Sequence, residues 1–155
     1  MTFPVQTSEF LDLYRKKEAH LLSLFSKDGN STAIYEKIIE LGKSLPKPSP
    51  EIIKESNLVA GCQSLVYMCS EMDKDGNVRY QIESDALISS GLAALLLLMY
   101  QGEKAEFIFL YPPLFIKEIG LAVVLSPGRS NGLAGMYVKM KQDAINLFLE
   151  NKKSS

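Results

Sequence analysis

The sequence contains two thiols, Cys62 and Cys69, and one imidazole, His20. A zinc or iron–sulfur site of the usual kind takes about four thiolate or imidazole ligands, so one subunit has too few, and no metal is expected. The cysteines are also too far apart in sequence for the C-x-x-C redox pattern. What remains is a nucleophilic sulfur, and "NLVAGCQSLVY" (57–67) gives Cys62 an unusual setting. Gly61 allows backbone conformations closed to other residues and carries no side chain to obstruct an approach to the sulfur. Gln63 and Ser64 add hydrogen-bonding side chains, and a turning backbone there can aim amides at a thiolate. A free thiol titrates near about 8.5, so modest electropositive help raises its nucleophilic fraction at neutral pH.

That help stands in "SPGRSNGLAGM" (126–136). If a helix begins at Pro127, then Gly128, Gly132 and Gly135 fall on one side of it and leave a groove in which another backbone packs closely. Each glycine inside a helix costs about 1 kcal/mol relative to alanine, so their repetition implies a packing requirement. The cysteine loop is therefore expected beside this helix start. Arg129 would steady a developing sulfur anion, bind a partner's acidic group, or simply clamp the loop. Cys69 shares strand parity with Leu65 and Tyr67 and is expected to be a small core residue whose replacement by Ser or Ala spares activity. His20 lies on a helix with no sequence partner and is expected to be a surface or satisfied histidine.

Two other motifs fail on spacing. "DKDGN" (73–77) begins like a calcium loop, but its sixth position is Val78 where glycine is required and its twelfth is Ser84 where glutamate is required. "GKS" (42–44) lacks the upstream glycine of a phosphate-binding loop and closes a helix when it should open one.

The surrounding elements follow from periodicity and punctuation. Apolar residues from Phe10 to Phe25 recur at helical spacing after Thr7 or Ser8 as cap, and "SKDGNS" breaks that helix. Asn30 or Ser31 caps a second, with Ile34, Ile38 and Leu41 on one face. "LPKPSPE" is a stiff spacer, and Ser49 with Pro50 starts a helical turn through Lys54. Strands over Ser64 to Met72 and Val78 to Ser84, joined by "DKDGN", make an antiparallel hairpin. On the second strand Val78, Tyr80 and Ile82 face the core. The remainder reads helical: an apolar helix capped by Asp85 or Ser84, a short helix in "YPPLFIKEIG", and a long final helix opened by Ser126 and Pro127 that buries Leu133, Met136 and Met140. The fold class is α+β, with a small antiparallel sheet of two or three strands packed by several helices in one domain over 1–155.

The chain's 17 basic and 18 acidic side chains nearly cancel, so no general field draws it to nucleic acid or an anionic membrane. The most apolar run, Gly91 to Tyr100, is shorter than the roughly 20 residues of a membrane helix. With no secretion-signal pattern at the N-terminus, a reducing cytoplasm is the expected location.

Taken together, "YEKIIELGKSLP", "NLVAGCQSLVY", "SDALISSGLAALLLLMYQG" and "LSPGRSNGLAGM", in this order and spacing, resemble the SufE family of cysteine-desulfurase partners. The match runs roughly from Tyr35 to Phe148, within a motif-bearing part of about 31–149. Departures are Leu65 and Tyr67, where relatives often carry a polar residue and tryptophan, and Gly128, often serine. The resemblance implies a fold like that of the IscU scaffold, without the additional cysteines by which that scaffold holds a cluster. It implies that Cys62 accepts sulfane sulfur from the persulfide of a SufS-type desulfurase, stimulates that enzyme, and passes sulfur toward iron–sulfur cluster assembly on a SufBCD-type scaffold. PLP would belong to the desulfurase, and no cofactor of its own is expected. Gly61, Gln63, Ser64, Arg129 and Asn131 would support Cys62 or bind the partner. Asp85, matching an acidic position beside the family's core helix, would restrain the resting loop or cap that helix. The protein would be a monomer or homodimer. The competing readings are a cysteine-dependent hydrolase, for which His20 is the sole histidine base, and a non-catalytic interaction module.

Overall fold

The structure, a computed structural model, describes residues 6–25 and 30–154. Helices α1 (Gln6–Ser23) and α2 (Ser31–Lys43) lead into two 3-10 turns, Pro50–Ile52 and Glu55–Asn57, and then a hairpin of β1 (Val66–Met72) and β2 (Asn77–Ser84). The core helix α3 (Leu87–Tyr100) follows, then a short strand β3 (Glu103–Lys104), α4 (Ala105–Leu110), α5 (Phe115–Ile119), α6 (Leu121–Val124) and the long α7 (Pro127–Lys153). The sheet is antiparallel in the order β1-β2-β3, with Met68 opposite Ile82 and Met72 opposite Val78. This is the expected α+β arrangement with three strands. Among the described residues no helix is long and apolar enough to cross a membrane.

Local signals account for most element ends. Asn30 caps α2 by accepting from the Ala33 amide at 2.7 Å, Ser49 Oγ accepts from the Glu51 amide, and Ser126 Oγ accepts from the Arg129 amide with Pro127 in the first turn of α7. The carboxylate of Asp73 accepts from the Asp75 and Asn77 amides at 2.9 and 3.0 Å while Gly76 turns at φ +83°. These bonds, that from Asn77 foremost, hold the Asp73 carboxyl below its ordinary range. The acidic turn residue is thus spent on the hairpin itself.

Several expectations need correction. Helix α1 is already formed at Gln6, the first described residue, so Thr7 and Ser8 lie within it and not ahead of it; Ser26 to Gly29 of the break lie outside the described residues. β1 begins at Val66, not Ser64, and the turn expected through Lys54 ends at Ile52, with a second 3-10 turn, Glu55–Asn57, following it. Neither Asp85 nor Ser84 caps α3. Ala86 occupies the cap position, and Ser84 Oγ accepts only from the Ala86 amide, outside the helix. On β1 the buried parity is that of Val66 and Met68, while Leu65 is 53% exposed. Cys69 therefore lies half-buried on the sheet face turned away from the core and is not the core residue expected. The apolar run reads alike on both faces; only packing shows that the helices cover one of them.

Helix α3 is the centre of the molecule, with Leu92, Leu95, Leu96, Met99 and Tyr100 completely or almost completely removed from solvent. It meets α2 at backbone contact. A Cβ on Gly91 would stand 2.0 Å from the Ile38 carbonyl oxygen, and one on Gly42 would stand 2.7 Å from the Gly91 nitrogen. At its other end the Gln101 side chain accepts from the Tyr80 amide at 2.7 Å and donates to the Tyr80 carbonyl at 2.9 Å, tying α3 to β2. Two phenols fasten α7 in turn: buried Tyr80 donates to the Met140 carbonyl at 2.7 Å and half-buried Tyr137 to that of Ile108 at 2.9 Å. Burial pushes the Tyr137 phenol up to about 12, which keeps it a donor. Gly91→Ala is expected to lower the unfolding free energy by at least about 2 kcal/mol, because the methyl meets backbone that has no room to move; urea denaturation monitored by circular dichroism measures it.

Candidate functional site

The segment carrying Cys62 is a loop closed at its base. The Val59 amide donates to the Val66 carbonyl at 2.9 Å, Leu58 bridges to Tyr67, and the Asn57 side-chain amide donates to the Ile52 carbonyl at 2.8 Å. Gly61 turns the chain at φ +82°, the left-handed region that only glycine enters without strain. That turn lays Ala60, Cys62 and Gln63 along the first turns of α7, on the side the sequence leaves bare. A Cβ on Gly135 would stand 2.3 Å from the Ala60 carbonyl oxygen, and one on Gly132 would stand 3.5 Å from both Cα and Sγ of Cys62. One on Gly128 would stand 2.6 Å from Gln63 Oε1, which also accepts from Ser126 Oγ at 3.4 Å. The predicted groove exists, and its occupant is the cysteine loop.

The sulfur is half-buried, and its thiol donates to the Gly132 carbonyl oxygen at 3.6 Å. Burial pushes the Cys62 thiol up from its ordinary value, and the nearby Arg129 guanidinium pulls in the opposite direction with smaller effect. The electropositive help expected from Arg129 is present, but in this conformation burial outweighs it. A carbonyl oxygen accepts from S–H but repels S⁻, so the seat stores the neutral form.

Arg129 connects loop and core. Its Nη1 donates to Ser89 Oγ at 2.8 Å and to Ser64 Oγ at 3.2 Å, and the two hydroxyls are 2.6 Å apart. It clamps the loop and also acts on the sulfur electrostatically. Ser89, on α3, is 4% exposed and is the buried polar side chain among the described residues. Sequence reasoning passed over it, although a serine on the otherwise apolar inner side of the core helix was a readable signal.

The remaining candidates are less engaged. Asn131 is exposed, and its contribution is its backbone carbonyl, 3.7 Å from where a Cβ on Gly61 would be. Asp85 is exposed, and among the described residues no hydrogen bond or ion pair engages its carboxylate. It neither caps α3 nor restrains the loop. His20 is exposed on α1, and among the described residues no imidazole or carboxylate is hydrogen-bonded to Cys62. Among the described residues no group of three or more His, Cys, Asp or Glu side chains is placed to hold a metal. An apolar cleft of about 400 Å³ between α5, α6 and α7, lined by Leu114, Leu121, Leu125 and Tyr137 among others, includes none of the residues around Cys62.

Comparison with known proteins places the site in context. The family description "SufE: Fe-S metabolism associated domain" matches residues 19–144. The chain is 32% identical over 139 residues to SufE-like protein 1, chloroplastic/mitochondrial, of Arabidopsis thaliana, covering 90% of this chain and 38% of that protein. It thus spans well under half the length of the plant relative. It is 35% identical over 127 residues to an uncharacterized SufE-like protein of Synechocystis, covering 82% of this chain and 79% of that one. In fold it is similar to the solution structure of a hypothetical protein from Thermus thermophilus, with a TM-score of 0.66 and 20% identity over 90% of this chain and 96% of the other.

The three glycines differ in what an added methyl meets. Gly135→Ala should displace the loop and destabilise by about 1–3 kcal/mol. Gly132→Ala, at ordinary contact distance, and Gly128→Ala, against a mobile side-chain end, should fall within about 1 kcal/mol of wild type, as helix propensity offsets crowding; thermal denaturation ranks them. Because the folded thiol is raised, the proton favours the seated loop below the ordinary thiol pKa, and this preference is lost as pH rises through the folded value. The pH profile of Cys62 alkylation by iodoacetamide should therefore have its midpoint above that of an unstructured peptide carrying the same segment.

Proposed function

The chain belongs to the SufE family, associated with Fe–S metabolism, and on that footing we propose that it is a sulfur carrier whose Cys62 takes persulfide sulfur from a SufS-type cysteine desulfurase, stimulates that enzyme, and delivers the sulfur to a SufBCD-type scaffold. The observation that supports this reading most is the seating of Cys62. A free cysteine sits on a closed loop against a glycine-cleared helix face, and among the described residues its hydrogen-bond partner is a backbone carbonyl and not a general base. Such a sulfur is arranged to be presented to another protein's chemistry.

The steps follow from thiol exchange. Seated, the sulfur is protonated against the Gly132 carbonyl. As the Ala60 to Leu65 segment leaves α7, the sulfur loses both the burial and the carbonyl acceptor that favour its proton, and its thiolate fraction rises. The thiolate attacks the terminal sulfur of the donor's cysteine persulfide. The S–S bond of the donor breaks, its cysteine departs as thiolate, and Cys62 becomes Cys62–S–SH with no net oxidation. The three sulfurs must be near in line, so the loop has to enter the donor's site, and the turn at Gly61 gives it a narrow tip. PLP chemistry that generates the persulfide belongs to the desulfurase. The carrier is suited to a reducing compartment such as the cytoplasm, where the free thiols persist.

Incubation with a desulfurase, PLP and L-cysteine, followed by non-reducing intact mass and peptide analysis, should show a gain of about 32 Da per transferred sulfur on the Cys62 peptide. Cys62→Ser should abolish both the gain and the stimulation of alanine release, while Cys69→Ser should keep both. An unmodified Cys62 beside an active desulfurase would reject the proposal.

A further inference from the structure

Ser89 has no role in the sulfur chemistry above, yet it places a buried hydroxyl on the inner face of the core helix. A buried hydroxyl destabilises unless it is hydrogen-bonded. Ser89 Oγ has two partners: Ser64 Oγ at 2.6 Å, on the cysteine loop, and Arg129 Nη1 at 2.8 Å, on α7. Arg129 Nη1 also reaches Ser64 Oγ at 3.2 Å. Every polar contact of the Ser64 side chain is thus made to this pair, and Ser64 follows Cys62 by two residues.

We propose that Ser64 and Ser89 are positioning residues which, with Arg129 as the shared donor, form a latch that holds the Cys62 loop on α7 and sets how often the sulfur is presented. The latch is built to open without penalty elsewhere. When the loop departs it takes Ser64 with it, and Ser64 finds water, while Ser89 keeps the Arg129 guanidinium as partner. Opening breaks both contacts of Ser64, but no buried group is orphaned, so it remains reversible. Ser89 stays with the rigid core helix, and its bond to Arg129 holds the guanidinium at the vacated seat for the loop's return. The functional meaning of the latch rests on Cys62 being a sulfur carrier; its existence does not.

The test is the rate of iodoacetamide labelling of Cys62, resolved from Cys69 by peptide mass analysis and run without any desulfurase. Ser64→Ala, a change in a half-exposed loop position, should speed Cys62 labelling by between about twofold and tenfold, the ratio set by one net hydrogen bond, with Cys69 unchanged. Ser89→Ala should do the same, and the double variant should be no faster than the quicker single one, because both substitutions break one shared contact. Ser64→Thr, which keeps the hydroxyl, should label as slowly as wild type. Wild-type labelling rates in Ser64→Ala, additive effects in the double variant, or equal acceleration at Cys69, which would mean general loosening, would each overturn the latch. Sulfur uptake from a desulfurase is scored separately, so a labelling result in favour of the latch with no uptake at Cys62 would reject the carrier reading alone.

Discussion

The site depends on a backbone-to-helix contact that a single methyl group would prevent. The Ala60 carbonyl lies where the Cβ of any other residue at position 135 would be, and Cys62 rests against Gly132. Side chains ordinarily hold packed helices about 8–10 Å apart, axis to axis; removing them lets a loop backbone sit directly on the helical cylinder. The same device brings α2 and α3 together at Gly42 and Gly91. Each helical glycine costs about 1 kcal/mol in propensity, and α7 accepts that cost three times before Met136. In return the sulfur has a seat made largely of backbone.

A seat of that kind decides the protonation state. Backbone carbonyls on a helix flank accept hydrogen bonds, and partial burial removes the water that would solvate an anion. Both favour S–H over S⁻, and the Arg129 guanidinium offsets them only in part. A protonated, half-covered thiol is a poor nucleophile and a slow target for oxidants, since the thiolate is the reactive species in both cases. In the carrier role proposed above, reactivity is therefore coupled to movement: the sulfur would become competent by leaving the place where it is stored. The contact that stores it also keeps it from reacting at random.

The rest of the fold supplies the fixed frame against which that movement takes place. Helix α3 is buried almost throughout, pinned to β2 through Gln101, while α7 is pinned by Tyr80 and Tyr137. The polar cluster hangs from these two helices, and the loop is attached to the frame at the Val59–Val66 bond below it. Helices thus carry Ser89 and Arg129, and the loop between Val59 and Val66 carries Ser64 and Cys62. Holding a reactive group on a mobile tip while its partners stay on packed helices lets one bond be broken without disturbing the core.

Much of this was legible in the residues. Helical period with Asn30 and Ser126 as caps, the "DKDGN" turn between two strands, the position of Cys62 after Gly61, and the spacing of the α7 glycines are all local patterns, set within a few residues of each other. What the chain order left open were questions of coverage and distance. Cys69 and Met68 are equally apolar neighbours, and only the packing of helices on one face of the sheet decides which is interior. Asp85 has the right chemistry for a cap or a restraint, but the chain turns so that it does neither. The direction of the Cys62 shift is a balance between burial and the charge of Arg129, far away in sequence. Ser89 meets Ser64 and Arg129 only because three separate elements converge. Local sequence specifies the pieces because caps, turns and periods act over a few bonds; tertiary structure alone sets the state of the sulfur because dielectric, charge and hydrogen-bond partners come from residues the chain brings together last.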